Sequence, residues 1–248
     1  MRILFFDIET SPIGAWTWGL FEQDIPLHHI FQDSFIICAA WQWNDQKKIH
    51  SVSLLDDLGR FNKDYTDDYH VVKEIHRQIQ SADVIVGHNV KHFDWKRFMG
   101  RVIFHKLPPL NIPAMVDTLT EARKYGFTSN KLDYLGRHLG VDRKLGKESG
   151  LWPRAATGDK AAIKKMVIYN KGDIPPLVGL YKRLRPYMTT HPNYNLYTNS
   201  MCCPKCESAS FQKRGYRRTA VSIFQRYQCN DCHGWFESTA SIKRVKVK

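Results

Sequence analysis

The sequence predicts an α/β fold, a mixed sheet flanked by helices, with a small basic module at the C-terminus. The order of elements points to it first. Strand-like apolar runs open the chain, and helix-period segments then alternate with short strands. After Pro186 the composition turns polar and turn-rich, and five of the six cysteines fall between Cys202 and Cys232.

Ile3 to Phe6 reads as the first strand and runs straight into Asp7. Phe35 to Trp43 and Ile49 to Leu55 read as two more. Val71, Val72, Ile75 and Ile79 recur at the spacing of one helix face. Asp83 to Gly87 is a short buried strand, and Phe93 to Lys106 a helix that stops before Pro108 and Pro109. Leu132, Leu135 and Leu139 mark a further helix, closed by Gly140. Ala161 to Tyr169 and Leu177 to Arg185 read as two separate helices, the second ended by Pro186. Thr189 to Asn195 reads as a linker. The expected organisation is a domain over 1–190, a linker over 191–200 and a small module over 201–248.

A chain of 248 residues accommodates one domain of ordinary size and a small one. With 43% apolar and 25% charged residues, wholesale disorder is excluded. The longest apolar runs are about nine residues, against about twenty for a membrane-spanning helix. The N-terminus meets Asp7 after four apolar residues and does not read as a signal peptide, so a cytoplasmic location is expected. The net charge is +13, of which residues 191–248 carry +7 and residues 1–190 carry +6. Such an excess favours a polyanionic partner.

Three short segments carry the acids of interest. In Asp7-Ile8-Glu9-Thr10 the two acids stand at i and i+2 of a strand and share a face, which suits a divalent cation. In Gly87-His88-Asn89-Val90-Lys91-His92-Phe93-Asp94 a buried strand enters a turn, and an acid follows at a helix start, where acids are also common caps. In Tyr169-Asn170-Lys171-Gly172-Asp173 the tyrosine and the acid share a helix face. An acid at a helix C-terminus opposes the macrodipole, so a compensating cation is expected beside Asp173. Asp117 reads as a helix cap, and Asp83 and Asp133 as structural or surface acids. Trp41 and Trp43 read as core or sheet face, Trp16 and Trp18 as a loop near the first acids, and Cys38 as a buried free thiol.

In order and spacing these segments resemble the DEDD 3′–5′ exonucleases of the ribonuclease H-like superfamily. They are most similar to the proofreading exonuclease domain of family B DNA polymerases. The first motif is Asp7 to Thr10, the second Asn89, Phe93 and Asp94, and the third Tyr169 and Asp173. Ile168 stands where a histidine subgroup would have its histidine, so the tyrosine subgroup is indicated. Asn130 to Leu135 also looks like a helical segment of these domains, and the resemblance covers about residues 1–185. It implies phosphodiester hydrolysis with two Mg²⁺ or Mn²⁺ ions, held by Asp7, Glu9, Asp94 and Asp173. It implies that Tyr169 orients the water, with Asn89 and Phe93 at the terminal nucleotide and Thr10 and His88 also binding substrate.

The C-terminal cysteines form two Cys-x-x-Cys knuckles, Cys203/Cys206 and Cys229/Cys232. Four thiolates so spaced suit one structural Zn²⁺, and a segment this short needs metal to fold. Cys203 is preferred to Cys202 because Pro204 follows it. The segment is similar to zinc ribbons of some transposases. Between the knuckles lie Lys213, Arg214, Arg217, Arg218 and Arg226, interleaved with aromatics, as phosphate and base contacts would require. Ile242 to Lys248 reads as an edge strand or a loose tail. The combined expectation is an enzyme that trims DNA from the 3′ end, with replication or repair proteins as partners. A ribonuclease, a structure-specific endonuclease and a nucleic-acid-binding adaptor are the alternatives.

Overall fold

The computed structural model describes residues 1–21, 24–141 and 149–246, and the chain divides into two compact units, residues 2–179 and residues 180–248. The first unit is built on β1 (Ile3–Thr10). A small separate ribbon follows, β2 (Gly14–Ala15) against β3 (Ile30–Gln32). Next come β4 (Ile36–Trp43) and β5 (His50–Ser53), then the short α1 (Leu58–Lys63) and the longer α2 (Tyr69–Gln80). β6 (Val84–Gly87) leads to α3 (Asp94–Phe104), and β7 (Ala114–Asp117) to α4 (Thr118–Ala122). The unit continues through α5 (Leu132–His138) and α6 (Leu151–Ala156) into α7 (Lys160–Leu184).

The main sheet has the order β5-β4-β1-β6-β7. β4 runs antiparallel to β1 and β5 antiparallel to β4, while β6 and β7 continue in parallel from β1. The sheet is therefore mixed, as expected, and β1 is its central strand. A central strand covered on both faces needs a continuous apolar run, which Ile3 to Phe6 provides. Val71, Val72, Ile75 and Ile79 of α2 are buried as their spacing predicts, and α2 packs on β4. Trp41 and Trp43 join the core, and Cys38 is a buried free thiol on β4.

The structure corrects three sequence readings. β7 is a strand that the sequence does not announce, because four residues ending in an acid look like a loop before a helix. The strand expected through Leu55 stops at Ser53, whose side chain caps a 3₁₀ turn over Leu54–Asp56 and whose amide bonds back to Asp56. The two helices expected over Ala161–Tyr169 and Leu177–Arg185 are one, α7, running through Pro175 and Pro176. Interior prolines cost about 3 kcal/mol each. The buried series Ile163, Met166, Tyr169, Ile174, Leu177 and Leu180 keeps a single helical register across them. Burial of that stripe outweighs the lost backbone bonds. Asp173 consequently sits in a helix interior, so the macrodipole argument for a cation beside it does not apply.

In the second unit β8 (Phe211–Arg218), β9 (Ser222–Cys229) and β10 (Trp235–Arg244) form an antiparallel sheet in the order β10-β9-β8. Phe211, Tyr227 and Phe236 pack together on one face. β10 is an edge strand through Arg244, and residues 247 and 248 of the expected tail lie outside the described residues. The division between the units falls about ten residues before the expected boundary at 190, and Thr189–Asn195 is folded into the second unit. Tyr194 is buried there, and Asn195 bonds both backbone groups of Cys202. His191 accepts from the Tyr181 hydroxyl at 2.7 Å, and burial lowers its pKa to about 4.

One interaction ties the first unit's layers together. The fully buried Asp68 carboxylate accepts from the Ile36 amide at 2.7 Å, from Arg101 at 2.7 and 2.8 Å, and contacts His105 Nε2 at 2.6 Å. It joins the starts of β4 and α2 to α3. Asp68→Ala strands the Arg101 charge at a buried site and should cost about 3–5 kcal/mol. Urea unfolding checks this, and a loss under about 1 kcal/mol would refute the assigned role.

Candidate active site

Asp7 and Glu9 lie two apart on β1 and so share a face. Asp173 of α7 meets them, and the three offer carboxylate oxygens within 4.8 Å of one another. Asp173 is buried, while Asp7 and Glu9 are half-buried and open to solvent. The pairing of β1 with β4 slips between Glu9 and Thr10, a bulge of the kind that re-aims side chains beside functional sites.

Asp94 is the first residue of α3 and is buried. Its Oδ1 accepts the Ile8 amide at 3.2 Å, so it docks on the strand between Asp7 and Glu9. Asn89 and Phe93 belong to the turn that delivers it. Asn89 has φ of +75°, a left-handed conformation that asparagine tolerates better than most residues. The amides of His92 and Phe93 close on its carbonyl. Asp117 caps α4, as expected, but its carboxylate also accepts the amides of Asn89 and Lys91 at 2.9 and 3.2 Å. Gly87 begins the turn, where a Cβ would stand 2.6 Å from Val90. Phe93 is 38% exposed, with Arg97 over its ring. His88, read as a substrate contact, has both ring nitrogens engaged, by Thr118 Oγ1 and the Asn130 carbonyl at 3.0 Å each.

Two residues of the site carried no sequence signal of their own. Asn170 of α7 is fully buried and donates to Asp7 Oδ2 at 2.6 Å. Trp152 of α6 donates its indole N–H to Glu9 Oε2 at 3.1 Å. The Trp152 ring stands edge-on to Tyr169 at 5.3 Å between centroids, so Glu9, Trp152 and Tyr169 are placed together. The negative charge reaches the next strand. Burial first, then Glu9 and Asp7, push the Cys38 thiol well above its usual range. A cluster of hard oxygen donors carrying like charge, partly open to solvent, fits a divalent cation.

The four knuckle cysteines also converge, with sulfurs within 4.8 Å of one another. Cys203 and Cys232 are 3.7 Å apart and Cys206 and Cys229 3.6 Å. A tetrahedral zinc with bonds of about 2.3 Å sets its sulfurs about 3.8 Å apart, so the set fits zinc. Cys202 instead contacts Thr198 Oγ1. The basic residues of the ribbon do not share one face. By strand register Lys213 and Arg218 lie with Tyr227 and Ile223, whereas Arg217 and Arg226 lie with Phe224 and Glu237. Arg217 is held by Glu237 at 2.5 and 2.7 Å, and Arg226 lies over Trp235.

Two outcomes are expected. Asn170→Ala removes a donor to Asp7 and should weaken Mn²⁺ binding about 10–100-fold by calorimetry, and unchanged affinity would refute a positioning role. Serine at Cys203, Cys206, Cys229 or Cys232 should release one zinc per chain in a chromogenic chelator assay, whereas Cys202→Ser should retain it. Loss on Cys202→Ser would overturn the ligand set.

No curated protein matches the sequence. Among solved structures, the family B DNA polymerase of the hyperthermophilic archaeon Pyrobaculum calidifontis is similar in fold, with a TM-score of 0.55 and 18% identity. The match covers 75% of this chain but 25% of the polymerase, so the chain corresponds to about a quarter of that protein. A family model described as RNase_H superfamily matches residues 4–185, a span that includes Asp7, Glu9, Asp94 and Asp173. By that match the chain belongs to the RNase_H superfamily.

Proposed function

We propose that this protein is a metal-dependent 3′–5′ exonuclease that hydrolyses DNA phosphodiester bonds from a free 3′ end. The observation that carries the reading is the convergence of Asp7, Glu9 and Asp173 within 4.8 Å, with Asp94 bonded to the strand between the first two. The motif resemblance to the proofreading domain of family B polymerases supports it.

In this reading Asp7, Glu9 and Asp173 would hold a divalent cation, and Asp94 beside them would help to hold a second. Mg²⁺ or Mn²⁺ bound there would supply electrostatic stabilisation of the attacking and leaving oxygens of an in-line displacement. Tyr169 orients the water, and its packing on Trp152 fixes the ring for that task. Asn170 and Trp152 hold the Asp7 and Glu9 carboxylates in register. Asn89 and the exposed face of Phe93 grip the terminal nucleotide, with Thr10 beside them. His88 acts through the turn it braces. The zinc ribbon adds affinity for nucleic acid through Lys213, Arg214, Arg218 and Arg226, with Arg217 contributing least because Glu237 neutralises it. Free 3′ ends of this kind arise in replication and repair.

Digestion of 5′-labelled single-stranded DNA with Mg²⁺ or Mn²⁺ tests the proposal. A ladder shortening from the 3′ end is expected, absent with Asp7→Ala and with a 3′-blocked oligonucleotide. Cleavage of circular DNA would replace the reading with an endonuclease, and faster cleavage of matched RNA with a ribonuclease. Alanine at Lys213, Arg214 and Arg218 should flatten the salt dependence of binding by about 0.7–0.9 for each phosphate no longer neutralised. An unchanged slope would remove the ribbon from the binding surface.

A further inference from the structure

We propose that the exposed face of α3, with the hollow beside it, is a track for single-stranded DNA carrying the nucleotides upstream of the one removed. The choice of ligand rests on the exonuclease reading, while the geometry rests on other residues.

α3 is two-sided. Phe98 and Val102 are buried in the core. On the opposite side Phe93, Arg97, Gly100, Arg101 and Phe104 recur at three- and four-residue spacing and form one stripe. The helix is 11 residues long, so the stripe extends about 16 Å from the carboxylate site. Phe104 is 66% exposed at its far end. Arg101 is held by Asp68, but Lys96 and Arg97 are exposed and make no ion pair among the described residues.

Two hollows follow this stripe. The first, about 190 Å³, opens beside Thr10 and is lined by Lys96, Arg97, Arg101 and the residues entering β4, with no carboxylate. The second, about 880 Å³, shares Arg97, Gly100 and Arg101 with it and continues to Phe31 and Phe104. Of the three acids there, Asp67 is paired with Arg60 at 2.8 Å, while Asp64, which accepts from Thr66, and Asp33 keep their charges at the far side from Lys96. Phe31 is 61% exposed, its ring braced by Trp16 at 5.0 Å. Gly100 lines both hollows, and a Cβ there would meet nothing within 4 Å. Glycine inside a helix is costly and packing does not require it here, so it keeps the floor bare.

The chemistry of the lining selects the ligand. Unpaired cations in a pocket without acids suit phosphates, and exposed aromatic faces beyond them suit bases of any identity. In a duplex the bases are stacked on one another and are not available to Phe31 and Phe104. The track therefore fits a single strand.

Fluorescence anisotropy tests this on the full chain carrying Asp7→Ala, which blocks hydrolysis and leaves the ribbon's cysteines loaded, with three probes. These are a twelve-nucleotide oligothymidylate, a three-nucleotide one, and the longer one paired with its complement. The double variant Lys96→Ala/Arg97→Ala should keep the parent's thermal midpoint, bind the twelve-mer at least tenfold more weakly, and flatten its salt slope by about 1.4. The three-mer should lose less. Phe31→Ala should weaken the twelve-mer about fivefold or more without changing the slope. Unchanged affinity and slope in the double variant would overturn the track, as would tighter binding of the duplex with the same sensitivity. If the chain with Asp7 intact hydrolyses no DNA yet the variants lose twelve-mer affinity as stated, the exonuclease reading falls and the track stands.

Discussion

The first unit is organised around repulsion. Asp7, Glu9 and Asp173 present oxygens within 4.8 Å, and at an effective dielectric of about 20 each charged pair costs roughly 3 kcal/mol or more. Folding must supply that from elsewhere. The strand bearing two of the acids lies in the middle of the sheet, anchored by β4 on one side and β6 on the other. Asn170 and Trp152 each donate to one carboxylate, and the Ile8 amide donates to Asp94. Such bonds to charged groups offset part of the repulsion and fix the direction of each oxygen. What they leave is an attraction for cations.

The same constraint explains why α7 does not break. A helix ending at Tyr169 would leave Asp173 on a loop, free to retreat from the other acids. The apolar stripe from Ile163 to Leu180 keeps the helix continuous through Pro175 and Pro176, and so delivers Tyr169, Asn170 and Asp173 from one element. Local propensity at two prolines yields to burial along 25 residues.

The acids were legible in the sequence because metal chemistry needs carboxylates at fixed offsets on a strand and on helices. β1, β6 and α2 were legible because burial imposes a period. What was not legible depends on contacts between residues far apart in sequence. Trp152 reaches Glu9 across 143 positions and Asn170 reaches Asp7 across 163, and neither spacing leaves a local pattern. Asp117 was legible as a cap, since capping is local, but its hold on the Asn89 turn was not. β7 escaped for want of length, and the split of the ribbon's cations between two faces needed strand register, which the sequence does not print.

With the polyanionic substrate proposed for it, an acidic site would face a problem of sign, since carboxylates that would hold a metal would also repel the strand. Positive charge is required, but cations touching Asp7 or Glu9 would compete for the metal's place. The structure separates the two charges along α3. Its first residue, Asp94, is turned inward to the Ile8 amide, and its exposed cations, Lys96 and Arg97, begin two residues later on the outer side. One short helix thus presents an acid to the carboxylate cluster and bases to its outer side. Arg101, further along, is neutralised by Asp68, which also holds the helix to β4. The residue that fixes the layers therefore also fixes the orientation on which that separation of charge depends.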